Sequence, residues 1–544
     1  MKKILTLMVT VLLAMTAAAS EKQVKKAAEA TCSITAYDKD NKIMGTGSGI
    51  FIESSTGIAS MSLFKGAHKV IVRDTEGRSF DVIRICGADQ LYDIIKFKVS
   101  APTSFAEPAT GKAEGKMWTV NYTSGSATPN EAKIDKVETF MEKYNYYILS
   151  SENSKDFCAL ITDDGKVAGL IQKSANGGVH ATDAAYGASL ATYGLALNNP
   201  SVKCCDIPLQ LPEKKEEALL MMILSGNTGD ELQHKASVHD FLERYPKLPD
   251  GYMARAGIST NNKDYAEADK DLKEAVRLAE NKSEYYFNYA KTVFRIVSSD
   301  KNLKFTEWTA DKAYELAEKA CAEDDQPVYR QLMAQILFSK ANYGKAYDTY
   351  INIVKNGKVY PDAYYGAAQC RIMQDAPKEE IIALLDSAVN SCDSVNYHIS
   401  APYVYLRASI YIEMGEYRKA VTDYYRYEIL CDGKMNAQFY YLREQTELKA
   451  KMYQQALTDI HKAIMLAPDE VSYYAEAGAL ELKVKMYEEA EMMGRKCIEM
   501  APKYADGYLI LGLALKYQGK KEESEKALQQ AKLLGSEQTE IDTH

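Results

Sequence analysis

The sequence predicts a multi-domain chain, with an all-β N-terminal half followed by an all-α C-terminal half of stacked helix pairs. Two periodicities and a break between them carry this prediction. Near the C-terminus, Ala456, Ala490 and Ser524 recur every 34 residues, as do Tyr440, Tyr474 and Tyr508, Gly478 and Gly512, and Pro468 and Pro502. Such a period is one helix–turn–helix unit, which buries its apolar face only by stacking on its neighbours. In residues 30–200, by contrast, short apolar runs alternate with polar residues and end in turns, the pattern of strands. Between the two halves lie Pro200, Pro208, Pro212 and the charged run Glu213-Lys214-Lys215-Glu216-Glu217. At 544 residues the chain is too long for a single core.

Taken in order, residues 1–20 read as an export signal. Lys2 and Lys3 form a positive start, residues 4–15 an apolar run, and Ala17-Ala18-Ala19 a small-residue cleavage site. The run is short of the ~20 residues a membrane span needs. No cysteine follows it, so no lipid anchor is expected. The expectation is an exported chain, periplasmic or secreted in a bacterial envelope, with no transmembrane segment after cleavage near Ser20 or Glu21.

Residues 21–205 form the β region. Its apolar runs at 32–38, 48–53, 69–74, 93–99, 146–151 and 167–173 are separated by turns such as Asp74-Thr75-Glu76-Gly77 and Asp163-Asp164-Gly165. Many short strands with polar turns predict a sandwich or barrel. The order of the pieces resembles the trypsin-like peptidases, especially the exported HtrA (Deg) type. The match consists of Gly47-Ser48-Gly49-Ile50-Phe51-Ile52, then Glu76-Gly77-Arg78-Ser79-Phe80-Asp81, then Asp93-Ile94-Ile95, and last Asp164-Gly165-Lys166-Val167-Ala168-Gly169. The resemblance covers roughly residues 30–200 and implies a double barrel.

The family's chemistry is not expected to carry over. A serine peptidase needs a histidine base beside its nucleophile and an aspartate to orient that base. The family's histidine falls on Leu63, which cannot accept a proton. His68 lies five positions on, in the turn before the next strand, and His180 falls in a glycine-rich loop. The nucleophile falls on Asp156 counted back from Asp164-Gly165, or on Ser154 counted from Glu152-Asn153. Either register loses the glycines that shape an oxyanion hole. Asp93 alone survives. The resemblance therefore implies a pseudoprotease, with no catalytic residues and no enzymatic activity.

A linker is expected at 206–216, and helical periodicity then runs over 217–538, about eight to nine helix pairs, with a polar tail at 539–544. Small residues mark the units: Ala268, Ala313, Ala346 and Ala420 precede Ala456, Ala490 and Ser524. In the unit 283–325 the second helix is expected to include Trp308 as well as Ala313. This array resembles the tetratricopeptide repeat (TPR) solenoids, most clearly in its last three units. The resemblance implies a groove lined by the first helix of each unit. The residues expected there are Tyr405, Tyr441, Gln445, Lys449, Lys483, Lys516 and Tyr517, whose lysines and tyrosines suit an acidic or C-terminal peptide.

Composition narrows the partners. Hydrophobic residues make up 46% of the chain, enough for sizeable cores, and the net charge of −9 without a long basic run argues against nucleic acid. The 39 tyrosines against 13 phenylalanines favour packing surfaces that keep a polar tip. Ten cysteines lack metal-type spacing and are expected to be mostly free and buried. No metal or cofactor is expected. The function expected is an exported, non-catalytic scaffold that binds protein or peptide segments. The alternatives are an HtrA-type serine endopeptidase with a recruiting array, and a periplasmic chaperone.

Overall fold

The computed structural model describes residues 21–111, 115–122, 129–150, 158–174, 177–355, 360–392 and 397–536. Residues 1–20, expected to be an export signal, and the tail 539–544 lie outside them. The chain divides into two compact units, 1–280 and 281–544.

In the first unit, six strands close an antiparallel barrel: β1 (Thr31–Tyr37), β2 (Ile43–Glu53), β3 (Thr56–Ser60), β4 (Lys69–Asp74), β5 (Ser79–Asp89) and β6 (Ile94–Val99), in the order β1-β2-β3-β6-β5-β4. Alternate positions point inward, as the period of two requires. Ile34, Val70, Val72, Ile95 and Phe97 fill the barrel. A second set makes a seven-stranded sheet: β7 (Met117–Val120), β8 (Asn130–Glu131), β9 (Ile134–Phe140), β10 (Tyr144–Leu149), β11 (Ala159–Thr162), β12 (Val167–Lys173) and β13 (Val179–Asp183). Its order is β8-β7-β11-β12-β13-β10-β9, so it is a half-barrel beside the closed one. A helix at 21–28 (α1) buries Val24, Ala27 and Ala28 in the same core. It runs so close to the β11–β12 turn that a Cβ on Gly165 would sit 2.9 Å from the Gln23 carbonyl. A short helix, α2 (Ala184–Ser189), follows β13 and is capped by Asp183, whose carboxylate accepts from the Ala185 N–H at 2.8 Å.

Residues 206–211 are built into this unit. Leu209 pairs with Ile85 of β5 as a parallel bridge, and both Leu209 and Leu211 are buried. The first helix pair, α3 (Lys215–Ser225) and α4 (Glu231–Arg244), packs on the same core through Met221, Met222, Val238 and Phe241. Two polar clasps hold it. Gln233 of α4 accepts from the Leu209 N–H (2.8 Å) and donates to its carbonyl (3.1 Å). Arg84 of β5 forms a fork with Asp240 at 2.9 and 2.7 Å. A second pair, α5 (Pro249–Asn261) and α6 (Tyr265–Leu278), completes the unit.

The second unit contains seven helix pairs among the described residues: α7 (Lys282–Ser299) and α8 (Ala310–Glu323), α9 (Pro327–Ser339) and α10 (Tyr343–Lys355), α11 (Pro361–Ile372) and α12 (Lys378–Asn390), α13 (Ala401–Glu413) and α14 (Tyr417–Leu430), α15 (Ala437–Lys449) and α16 (Tyr453–Leu466), α17 (Val471–Lys483) and α18 (Tyr487–Met500), α19 (Ala505–Tyr517) and α20 (Lys521–Leu533). This is the two-part fold that the periodicities predict. The repeated small residues Ala313, Ala346, Ala420, Ala456 and Ala490 are fully buried where the two helices of a pair meet. The recurring tyrosine does work that phenylalanine cannot. The hydroxyls of Tyr474 and Tyr508 donate to the carbonyls of Pro468 and Pro502, at 3.0 and 3.2 Å, tying each first helix to the proline that ends the preceding one. In the first unit Tyr252 does the same with Pro246, at 3.0 Å. One expected boundary shifts. Trp308 is buried but lies ahead of α8, because Thr309 caps that helix by accepting from the Lys312 N–H at 3.0 Å.

Candidate functional site

The barrel and the half-barrel face each other across a cleft around Asp93. The residues matched to the peptidase pattern divide between the described structure and the part outside it. Asp156 and Ser154 lie outside the described residues. Leu63 ends a 3₁₀ turn, Met61–Leu63, between β3 and β4. Its side chain occupies the space above Gly47 of β2, so that a Cβ on Gly47 would overlap it.

Asp93 enters β6 with a left-handed backbone (φ 47°), an uncommon conformation for a non-glycine residue. Its carboxylate is fully engaged. It accepts from the Ser60 hydroxyl and, at 2.7 Å each, from the Ser62 N–H and hydroxyl. Sequence reasoning did not find these two serines, of which Ser60 precedes the 3₁₀ turn and Ser62 lies within it. Gln172 of β12 reaches across and donates to the Asp93 carbonyl at 2.5 Å and the Tyr92 carbonyl at 3.2 Å, while accepting from Thr182 at 2.9 Å. One amide side chain thus fastens the half-barrel to the barrel.

Two cavities open on either side of Asp93, Gln172 and Lys173. One, of about 680 Å³, is lined by hydroxyl groups including Ser33, Ser48 and Tyr122. The other, of about 620 Å³, is walled by Tyr92, Phe140, Tyr146 and His180. His180 lies on strand β13 rather than in the loop expected, because its segment pairs with both β10 and β12. Its ring stacks on Tyr146 at 5.0 Å, and burial holds its pKa below the usual histidine range, against the pull of Asp93. His68 is exposed and pairs with Asp206 at 3.0 Å. Among the described residues no group of histidine, cysteine, aspartate or glutamate has metal-holding geometry. No described helix is long and apolar enough to cross a membrane. Among the described residues no two cysteines form a disulfide.

In the helix-pair array, successive first helices approach each other (α7 with α9, α9 with α11, α17 with α19), so the first helices form the inner layer. The seven residues expected on this layer are all on first helices, α13, α15, α17 and α19. Several are committed to packing between pairs. The Lys449 ammonium lies 5.7 Å above the Tyr417 ring, and that of Lys483 5.2 Å above Tyr453. Tyr517 stacks on Tyr487 at 5.1 Å. Tyr417, Tyr453 and Tyr487 each begin the second helix of a pair, so this is one repeated contact. Tyr405 packs on Tyr424 and Tyr427, Tyr441 on Tyr473, and Lys516 is exposed. Gln445 donates to Glu444 at 2.8 Å.

The array also holds charge inside. Arg443 is fully buried, forked onto Asp459 at 2.5 and 3.0 Å, bonded to Glu428 at 2.7 Å and ringed by Tyr425, Phe439 and Tyr440. The same fork joins Arg407 to Asp423 and Arg255 to Asp271. At all three forks the arginine stands sixteen residues before the aspartate, a spacing that the sequence also has at Arg73 and Asp89 and at Arg295 and Asp311. Nearby, Glu444, Glu447 and Glu481 are buried, each with one carboxyl oxygen lacking a hydrogen-bond partner. Burial pushes Glu444 up to about 8 and Glu447 up to about 7, and raises Glu481.

No protein-family model matches the chain, and no curated protein does. Among solved structures it is similar to a crystal structure of MamA (17% identity, 31% of this chain and 93% of that one, TM-score 0.26) and to one of MamA protein (16%, 32% and 91%, TM-score 0.27). It is also similar to a crystal structure of the serine endoprotease from Yersinia pestis (18%, 31% and 64%, TM-score 0.26). At these scores the likenesses carry no argument about activity, and the fold stands on the architecture itself.

Proposed function

We propose that this chain is an exported, non-catalytic scaffold that binds protein partners through its helix-pair array and carries an inactive trypsin-like cleft. The observation behind this reading is the pairing of Leu63 with an occupied Asp93. Where the peptidase pattern needs a base, an alkyl side chain packs on Gly47. The carboxylate that would orient the base is bound by Ser60 and Ser62 instead. A hydroxyl nucleophile needs a partner to take its proton, and Leu63 cannot supply one. The helix pairs offer a long surface of repeated first helices, suited to polypeptide segments rather than to chemistry. The N-terminal charged and apolar residues support export.

The test is covalent labelling of the purified chain with a fluorophosphonate, together with casein hydrolysis. The expected outcome is neither labelling nor cleavage. Labelling that disappears in Ser154→Ala would establish a working serine endopeptidase and end this reading.

A further inference from the structure

We infer that the neighbouring thiols Cys204 and Cys205 are a redox-modification site, oxidised by a low-molecular-weight disulfide of the glutathione type to a bridge between adjacent residues. This chemistry is independent of the proposed scaffold role.

The pair leads into the buried stretch 206–211. Cys205 is buried and Cys204 is partly exposed. Backbone hydrogen bonds clamp both sides of it. The Gly66 N–H donates to the Cys204 carbonyl at 2.8 Å, and the Asp206 N–H donates to the Ala67 carbonyl at 2.9 Å. One residue before the pair, Lys203 binds Asp230, the residue that caps α4, at 3.1 Å. The two thiols are thus held where the barrel loop 64–68 meets the first helix pair.

Their sulfurs are in contact and unequal. The Cys205 thiol donates to Cys204, which lowers the Cys204 pKa against the effect of burial, and the ammonium groups of Lys203 and Lys65 act in the same direction. The thiolate is the attacking species in disulfide exchange, so Cys204 is the half of the pair that reacts first. Cys205 is held protonated by the same hydrogen bond, by burial and by the charge on Cys204. Elsewhere burial raises the thiols of Cys32, Cys86, Cys158, Cys321, Cys370 and Cys497. Cys392 and Cys431 have no cysteine beside them in the sequence.

The Cys204 thiolate attacks one sulfur of the small disulfide, forming a mixed disulfide and releasing one thiolate, which takes a proton from water. Cys204 is then uncharged, so its charge and its hydrogen bond no longer hold the proton on Cys205. Cys205 gives that proton to solvent, its thiolate attacks the Cys204 sulfur, and the second small thiol leaves. Two protein thiols are oxidised, and one small disulfide is reduced to two thiols. Adjacent Cα atoms are ~3.8 Å apart, below the ~4.4–6.8 Å usual for a disulfide. The ring is therefore strained, and strained bridges are the readily reduced kind. Closing it re-aims the Cys204 carbonyl and loosens its hold on Gly66.

The experiment titrates the folded full-length chain with mixtures of oxidised and reduced glutathione, blocks the remaining thiols with iodoacetamide and reads each cysteine by peptide mass spectrometry. In the wild type, the peptide holding Cys204 and Cys205 should become two hydrogens lighter before any other cysteine changes. It should revert when reduced glutathione is in excess. Cys205→Ala should instead keep one glutathione on Cys204, and Cys204→Ser should leave Cys205 a free thiol. Circular dichroism confirms that both variants are folded. Hydrogen–deuterium exchange at Gly66 should be faster in the oxidised wild type than in the reduced, with no such change in Cys204→Ser. A pair that stays reduced, another cysteine oxidised first, or a glutathione adduct that persists on wild-type Cys204 overturns the inference. So does an equal adduct on Cys205 in Cys204→Ser. Unchanged exchange at Gly66 overturns the effect assigned to the barrel loop.

Discussion

Leu63 and Gly47 show how one side chain can hold the space of another. The leucine fills the space that a side chain on residue 47 would need. Gly47→Ala should therefore cost ~1–3 kcal/mol through overpacking, and Leu63→Ala in the same chain should restore much of that loss. Urea unfolding of the two single variants and the double variant measures the coupling; additive effects would mean that the two residues do not compete for space. Arg443 makes a second prediction at this scale. Its removal leaves Asp459 and Glu428 facing an uncompensated buried site, which typically costs ~3–5 kcal/mol. Arg255→Ala removes the same fork where the arginine is about half exposed, so its cost should be far smaller. Equal losses in the two variants, read as shifts of urea midpoint, would contradict the role assigned to burial.

At the scale of elements, the turn between the helices of a pair repeats a left-handed residue. Gly519 has φ 82° and Gly415 φ 75°, where glycine is at ease, but Lys451 (58°) and Lys485 (68°) take the same conformation. A non-glycine residue there loses ~1 kcal/mol. Lys485→Gly should thus raise the thermal midpoint of the array, by ~0.5–1 kcal/mol in stability, and a lowered midpoint would show that the exposed lysine contributes something else. These turns also show what could be read from the chain. The period of the helix pairs was legible because the alanine, tyrosine, glycine and proline markers act locally and recur. The strands of the barrel were legible from alternation. Residues 206–211 look like a spacer because their composition is that of one, and nothing local tells that Leu209 pairs with Ile85, 124 positions away. In the cleft, Asp93 was found through a pattern, but Ser60 and Ser62 were not, since a hydroxyl's partner depends on tertiary geometry. The buried glutamates were unreadable for a plainer reason: an acid in a helix normally lies at the surface.

The whole molecule should respond to pH through those acids. Glu444 and Glu447 take up protons in the folded state at pH values where the unfolded chain, with ordinary glutamate values, has lost them. The groups that face them are Glu476, Asp459, Gln445, Tyr425, Arg443 and Lys462. The folded chain binds more protons between about pH 4.5 and 8, so stability falls as pH rises through that window. Each group contributes up to ~1.4 kcal/mol per pH unit between its two pKa values. Glu491 acts in the opposite sense. Lys520 holds it down to about 2, so its contribution is lost only in acid, below that window. Urea midpoints measured from pH 5 to pH 8 should decline, and Glu444→Gln with Glu447→Gln should flatten the decline. An unchanged slope in that double variant would mean that both carboxyls are already ionised when folded.

The core shared by the barrel and the first helix pair bears on how the protein is made. That core runs from Val24 to Phe241. All thirteen strands have been synthesised by Asp183, yet the apolar side chains of α3 and α4 that cover part of them are still to come. While residues 184–241 are being added, the nascent β unit therefore presents uncovered apolar surface, an interval in which chains are prone to aggregate. A ribosome-bound chain halted at residue 205 should be cut readily by protease, and one halted far enough beyond residue 245 for α4 to clear the exit tunnel should resist it.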